Sequence, residues 1–251
     1  ESPLRGVWFV LIVAGLCGAF LGTTNSLQNA LESAQVLSGK VQYPPDNPFY
    51  LYHVKAWTIL NQVPALMLSW GMSERAVSLL MGAFIGMISC QAVALGTLVM
   101  CRNRWVAILL PCVLEMSGFY PEFHNRYAMR LFSEHPWQCY GVMGTSWVAL
   151  CWAMQGAGRY RMAAFLAGIG PAIHPTMGAW CLAVALCAML INHRWGRQPW
   201  KTTFTWLALG MAVSAASFAV NRYQARQTPT VSAAERDAYV RAFVDGWDTH
   251  R

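Results

Sequence analysis

Long apolar runs without any charged side chain restrict most strongly what this chain can fold into. The segments 6–24 and 76–100 contain 19 and 25 residues and no Asp, Glu, Lys or Arg. An α-helix rises 1.5 Å per residue, so about 20 apolar residues cross the roughly 30 Å hydrocarbon core of a bilayer. These lengths predict an all-α integral membrane protein, a polytopic helical bundle.

Composition agrees with this prediction and excludes some functions. Only 12% of the 251 residues are charged and 56% are hydrophobic, whereas soluble domains carry about 25% charged residues. The net charge of +7 comes from Arg and Lys in short clusters between apolar segments. Such clusters are typical of membrane topology signals. We therefore expect membrane lipids, and no nucleic acid, around this protein.

The apolar segments predict about six to eight membrane helices in a transmembrane domain over residues 1–220, with outer loops at 25–73 and 121–138. A polar extracytoplasmic tail follows over 221–251. The segment 57–71 is too short and too polar for a span and predicts a helix in the membrane plane. Pro171 and His174-Pro175 divide 162–192 into the two arms of a broken hairpin.

Charge distribution orients this arrangement. The short loops that carry arginines and almost no acids are expected on the cytoplasmic side, and the loops that carry acids and histidines on the other. The first apolar run is long enough to span, and no small-residue cleavage site follows promptly, so we expect a retained helix. The predicted location is the inner (cytoplasmic) membrane, as a multi-pass protein.

Three residues are candidates for catalysis at the outer face. Asp46 lies in the proline-rich turn 43–48, where a carboxylate serves as a base or simply forms the turn. Glu115 lies within an apolar run, where an acid is costly unless it is paired, hydrated or protonated. His174 lies at the proline break, as an acid/base group or as a helix corner.

Further residues are candidates for substrate binding: His53, Arg126, Arg130 and His135. The arginines would pair with a phosphate or with Glu115. No spacing of His, Cys or acidic residues resembles a metal site, and the eight cysteines read as small apolar residues. The sequence identifies no cofactor, although membrane-embedded histidines could ligate a pigment or haem.

The order of first span, acid-bearing outer loop, in-plane helix and long second span resembles the start of the C-fold (GT-C) membrane glycosyltransferases. That resemblance implies a lipid-linked sugar as donor and a catalytic role for Asp46. The stretches 43–53 and 170–178 are also similar to motifs of an uncharacterised family of bacterial polytopic membrane proteins. The acid is followed by Asn-Pro rather than by a second acid, and the chain has fewer helices than GT-C enzymes.

Three functions remain open from the sequence. The first is an enzyme that transfers a sugar from a polyprenyl-phosphate donor. The second is a non-catalytic subunit of a larger membrane complex, for example an energy-transducing or pigment-binding one, because small residues in the spans allow close helix contact. The third is a transporter built around the broken hairpin, which the lack of an inverted repeat disfavours.

Overall fold

The computed structural model describes residues 6–23, 31–117, 139–194 and 200–246. Within this part of the chain all regular secondary structure is helical, which confirms the all-α prediction. The helices are α1 Val7–Gly22, α2 Glu32–Leu37, α3 Pro48–Lys55, α4 Ile59–Ser69, α5 Glu74–Cys101, α6 Arg104–Ser117, α7 Cys139–Gly156, α8 Tyr160–Ile173, α9 Pro175–Arg194, α10 Trp200–Gln227 and α11 Ala233–Gly246.

Two helices are long and apolar enough to cross a membrane, namely α5 and the stretch Lys201–Gln227 of α10. Their burial differs. In the most apolar stretch of α5, 56% of the residues are buried inside the protein, whereas in that of α10 only 28% are buried. Helix α5 is therefore the centre of the bundle, and α10 lies at its periphery. The remaining apolar helices are shorter, so the count of six to eight membrane helices stays a prediction.

Glycines bring the central helices into backbone contact. A Cβ on Gly18 of α1 would overlap the carbonyl oxygen of Gly86 of α5, and a Cβ on Gly22 would overlap that of Gly82. Each helix thus carries a pair of glycines four residues apart, the spacing that lets two helices approach closely. Gly168 of α8 faces α10 in the same way, with its own carbonyl 2.7 Å from Ser214 Oγ.

The predicted break at His174 is present. His174 has an extended backbone (φ −144°, ψ 106°) that ends α8, and Pro175 begins α9. The two arms lie side by side, because Gly170 of α8 and Gly178 of α9 approach so closely that a Cβ on Gly178 would overlap the carbonyl of Gly170. The segment is therefore a hairpin of two helices.

Local residue types explain several helix boundaries. Ser73 Oγ accepts a hydrogen bond from Ala76 N at 3.2 Å and caps α5. The predicted in-plane segment 57–71 contains α4. Ser232 precedes α11, and its backbone N–H donates a hydrogen bond to Glu235 Oε2 at 3.2 Å. Helix α10 continues to Gln227, past the predicted domain boundary at residue 220.

Short helices and the tail form one polar layer, here called the cap, over residues 31–73 and 228–246. The backbone N–H of Val231 donates to the carbonyl of Tyr43 at 3.0 Å, which joins the tail to the first loop. The cap has its own apolar cluster, with Leu31, Val54 and Leu68 among its buried members. The cap is thus a packed unit rather than an extended loop.

The opposite end, here called the basic end, contains the α5–α6 and α7–α8 turns. The guanidinium of Arg159 lies 5.6 Å from the ring centre of Trp8, and that of Arg104 lies 5.9 Å from the ring of Phe9. The start of α1 therefore belongs to the same end as these turns. Of the acidic side chains that the structure describes, all belong to the cap or the adjoining start of α5: Glu32, Asp46, Glu74, Glu235 and Asp237.

Candidate functional site in the cap

The proline-rich turn of the first loop acts as a helix start. The carbonyl of Pro44 accepts a hydrogen bond from Asn47 N at 3.0 Å, and Asn47 Oδ1 accepts one from Phe49 N at 2.8 Å. Pro48 occupies the first helical position, where its missing N–H has no cost. This turn fixes the direction of α3, which carries His53 into the interior of the cap.

His53 is the centre of a polar cluster formed by α2, α3 and the turn. Its Nδ1 lies 2.7 Å from Ser33 Oγ, and its Nε2 lies 3.4 Å from Glu32 Oε1. Tyr43 donates its hydroxyl to the same Glu32 oxygen at 2.8 Å, and its ring stacks on the imidazole. The edge-on ring of Tyr52 covers another side. We call Glu32, Ser33, Tyr43 and His53 the His53 cluster.

Burial decides the charge of this imidazole. His53 is only 5% exposed. Burial lowers the pKa of His53, and the nearby Glu32 carboxylate opposes this effect with a smaller one. The ring is therefore neutral at neutral pH, with one nitrogen as donor and the other as acceptor. Within the part of the chain that the structure describes, Nε2 has no hydrogen-bond partner.

The His53 cluster has the components of a proton-transfer site. A hydroxyl, an imidazole and a carboxylate follow one another within contact distance, and the carboxylate side chain is about a third exposed (34%) while the imidazole is enclosed. A group that approaches the cap from outside would thus meet Glu32 first. The carboxylate can take a proton there, and the hydroxyl of Tyr43 holds it in position.

Asp46, the first predicted catalytic residue, lies at the cap surface. Its carboxylate forms an ion pair with Arg236 of α11, and both side chains are about half exposed. The pair ties the first loop to the tail. His53, predicted as a binding residue, instead belongs to the buried cluster described above. The structure thus gives Asp46 and His53 different neighbours.

His174 lies at the tip of the hairpin, and its contacts are with residues outside the His53 cluster. Its Nδ1 accepts a hydrogen bond from the backbone of Met177 at 3.3 Å, and its ring lies against Gly144 of α7. These contacts fit a helix corner.

Glu115 precedes the end of α6 by two residues, and its side chain lies outside the described part of the chain. Arg126, Arg130 and His135 also fall outside it, so their roles stay predictions.

A second polar group fastens the cap to the bundle. Gln62 of α4 donates to the carbonyl of Ser217 in α10 at 2.7 Å, and Ser217 Oγ donates to Gln62 Oε1 at 3.0 Å. Asn221 donates to the carbonyl of Val54 at 3.1 Å. The carbonyl of Val54, near the end of α3, is satisfied in this way. This group is structural, since its donors and acceptors satisfy one another.

Sequence reasoning missed three members of the His53 cluster. Glu32 and Ser33 lie in the predicted outer loop 25–73, and Tyr43 belongs to the predicted turn 43–48. The pattern of buried residues in α2, at Ala34, Val36 and Leu37, was the available signal. It covers less than two helical turns, which is too short to separate a helix from a loop.

No protein-family model, curated protein or solved structure matches this chain. The chemistry of the His53 cluster and the arrangement of the two ends of the bundle therefore carry the functional proposal.

Proposed function

We propose that this chain is a multi-pass protein of the cytoplasmic membrane, with the basic end inside and the cap outside. The observation that carries this proposal is that the described acidic side chains lie at one end of the bundle only. Arg102, Arg104, Arg159 and Arg161 gather at one end without an acidic neighbour in the described part of the chain, and the described acids gather at the other. Helix α5, which joins the two ends, is 28 residues or about 42 Å long.

Exposed apolar side chains support the same proposal. On α1, Ile12, Leu16 and Phe20 recur every four residues and are 61%, 68% and 73% exposed. Comparable side chains face outward on α6, α9 and α10. Continuous apolar surface of this extent is rare on proteins that are surrounded by water. Extraction of membranes with alkaline carbonate tests the proposal: the protein should stay in the pellet, and its release would contradict a spanning arrangement.

For the activity, we propose that the cap transfers a sugar from a polyprenyl-phosphate donor to an acceptor hydroxyl. The His53 cluster supports this because it offers an oriented carboxylate at the outer face. In the proposed step, Glu32 takes the proton of the acceptor hydroxyl, and the acceptor oxygen attacks the anomeric carbon. The bond from that carbon to the phosphate oxygen breaks, and polyprenyl phosphate leaves with the electron pair. Arg236 of the same cap, half exposed beside its partner Asp46, would pair with the phosphate.

Turnover of a lipid-linked sugar by membranes that contain the protein tests this activity. Glu32→Gln keeps the shape and removes the base, so we expect turnover to fall by about 100-fold or more. His53→Asn should lower turnover less, because it only releases Glu32 from one neighbour. Glu235→Gln, an exposed acid of the same cap, is the matched control and should keep its activity. Full turnover in Glu32→Gln would exclude the proposed role.

A non-catalytic role in a membrane complex is the second candidate, and one observation favours it. Helix α10 presents Ala208, Ala212 and Ala216 on its exposed side, four residues apart. Small residues with this spacing let another helix pack closely. Isolation from native membranes in mild detergent distinguishes the two roles. A stoichiometric partner that is lost in Ala212→Leu would favour the subunit role, and a chain isolated alone would count against it.

A further inference from the structure

Two arginines of the basic end lie over aromatic rings at the start of α1. The guanidinium of Arg159 lies 5.6 Å from the ring centre of Trp8. That of Arg104 lies 5.9 Å from the ring centre of Phe9 and 5.1 Å from that of Trp105. Because Trp8 and Phe9 are consecutive residues, the start of α6 and the turn before α8 each bring one guanidinium to the same helix end. These contacts hold both positive charges at defined positions.

The rings that hold the two guanidiniums belong to the outer surface of the bundle. Trp8, Phe9 and Trp105 are 48%, 45% and 56% exposed. Phe9 and Trp105 also meet edge to face, with ring centres 6.3 Å apart. Exposed aromatic rings at the ends of apolar helices are typical of the boundary between lipid tails and headgroups. In a membrane the rings would therefore contact acyl chains, and the guanidiniums would lie at the depth of the headgroups.

The electrostatics of this end favour an anion. Among the described residues neither Arg104 nor Arg159 has an acidic neighbour, since every described acid belongs to the cap or the adjoining start of α5. A guanidinium that covers a ring with its face keeps the N–H groups of its edge, which match two oxygens of a phosphate. Helices α6 and α8 also begin here, and the start of α8 has no side-chain cap. The positive ends of their dipoles add to the attraction.

The same lack of acids distinguishes between kinds of phospholipid. Phosphatylcholine and phosphatidylethanolamine carry a cationic group beside the phosphate. That group would approach the arginines without a described carboxylate to pair with, and like charges side by side are unfavourable. Phosphatidylglycerol carries a phosphate and hydroxyls and no cation. The basic end therefore favours phospholipids with a net negative charge.

We infer that the start of α1 is a binding site for anionic phospholipid of the phosphatidylglycerol type. The phosphate groups accept hydrogen bonds from Arg104 and Arg159, and the acyl chains lie against Trp8, Phe9 and Trp105. The inference rests on the proposed placement in a membrane and is independent of the proposed sugar transfer. A protein that stays in carbonate-washed membranes but shows no preference among phospholipids would overturn this inference alone.

Native mass spectrometry of the full chain, released from detergent micelles, tests the preference. The protein is titrated with dioleoyl phosphatidylglycerol or with dioleoyl phosphatidylcholine, which have the same acyl chains. We expect phosphatidylglycerol to bind about tenfold more tightly or better. A third arm adds free glycerol 3-phosphate at the same concentration, and it should not displace the lipid. Equal binding of the two lipids, or displacement by the free phosphate, would overturn the inference.

Paired substitutions locate the site. Arg104→Gln with Arg159→Gln removes both guanidiniums from the rings, so the preference for phosphatidylglycerol should fall to about threefold or less. Each single variant should show part of this loss. Arg102→Gln with Arg161→Gln is the matched control, because it removes two charges from the same turns that lie over no described ring. Circular dichroism verifies the fold of each variant. A loss of preference in the control as large as that in the first pair would mean that charge alone attracts the lipid, and the site would be refuted.

Discussion

The bundle and the cap are stabilised by different kinds of contact. In the bundle, glycine backbones meet directly, as between Gly18 and Gly86, and no side-chain charge takes part. In the cap, side-chain hydrogen bonds such as that between Ser33 and His53, and the ion pair of Asp46 with Arg236, join the elements. The bundle should therefore respond to added volume and the cap to changes in charge and hydrogen bonding. This contrast also explains why a chemical site would lie in the cap.

The largest effect is expected from volume added to the bundle. Gly86→Leu on α5 forces α1 away, because even a Cβ would overlap the carbonyl of Gly18. We expect a loss of about 3 kcal/mol or more in the free energy of unfolding, measured by denaturant titration in detergent. Gly96→Leu lies on the same helix with open space around the added Cβ. Equal losses in the two variants would contradict the close contact of α1 and α5.

A smaller loss is expected where the cap joins the bundle. Gln62→Leu removes the side-chain donor to the Ser217 carbonyl and one of the two acceptors of the Ser217 hydroxyl, which keeps the carbonyl of Trp57. Each lost hydrogen bond contributes about 0.5–1.5 kcal/mol. Ser217→Ala should cost less once Gln62 is already replaced. A double-mutant cycle on unfolding measures this coupling, for which we expect at least about 0.5 kcal/mol. Additive effects would mean that the two side chains do not interact.

The His53 cluster should make the cap sensitive to pH. Burial lowers the pKa of His53 below 6.5 in the folded cap, so the unfolded chain binds the proton more readily. Stability from this residue is complete above pH 6.5 and falls as the pH decreases toward the folded pKa. Histidine NMR signals in nanodiscs should show the depressed pKa, and His53→Gln should remove the associated pH dependence of unfolding. Titration at or above 6.5 would contradict an enclosed imidazole.

The smallest effect is expected at the surface of the cap. The ion pair of Asp46 with Arg236 is about half exposed on both sides, and such pairs contribute about 0–1 kcal/mol. Asp46→Asn should therefore leave the unfolding temperature nearly unchanged, as should Arg236→Gln. Turnover gives the sharper comparison, since the C-fold resemblance predicts a catalytic Asp46. A loss in Asp46→Asn as large as that in Glu32→Gln would move the chemistry to the turn.

The sequence predicted those parts of the fold that depend on local signals. The long apolar run of α5 and the break at His174 each follow from neighbouring residues. The cap could not be predicted in this way, because its contacts join residues far apart in the chain. Gln62 and Ser217 are 155 positions apart, and Ser33 and His53 are 20 apart. The apolar positions of α2 and α3 are too few to stand out beside three prolines.

Labelling of single cysteines in intact cells tests most directly whether the cap and the basic end lie on opposite sides of a membrane. In a cysteine-free background, Lys40→Cys and Asp237→Cys place an exposed thiol in the cap, and Arg102→Cys and Arg161→Cys place one at the basic end. A membrane-impermeant maleimide should label the first two in intact cells and the other two only after the cells are opened. Labelling of all four, or of the basic end alone, in intact cells would contradict the arrangement.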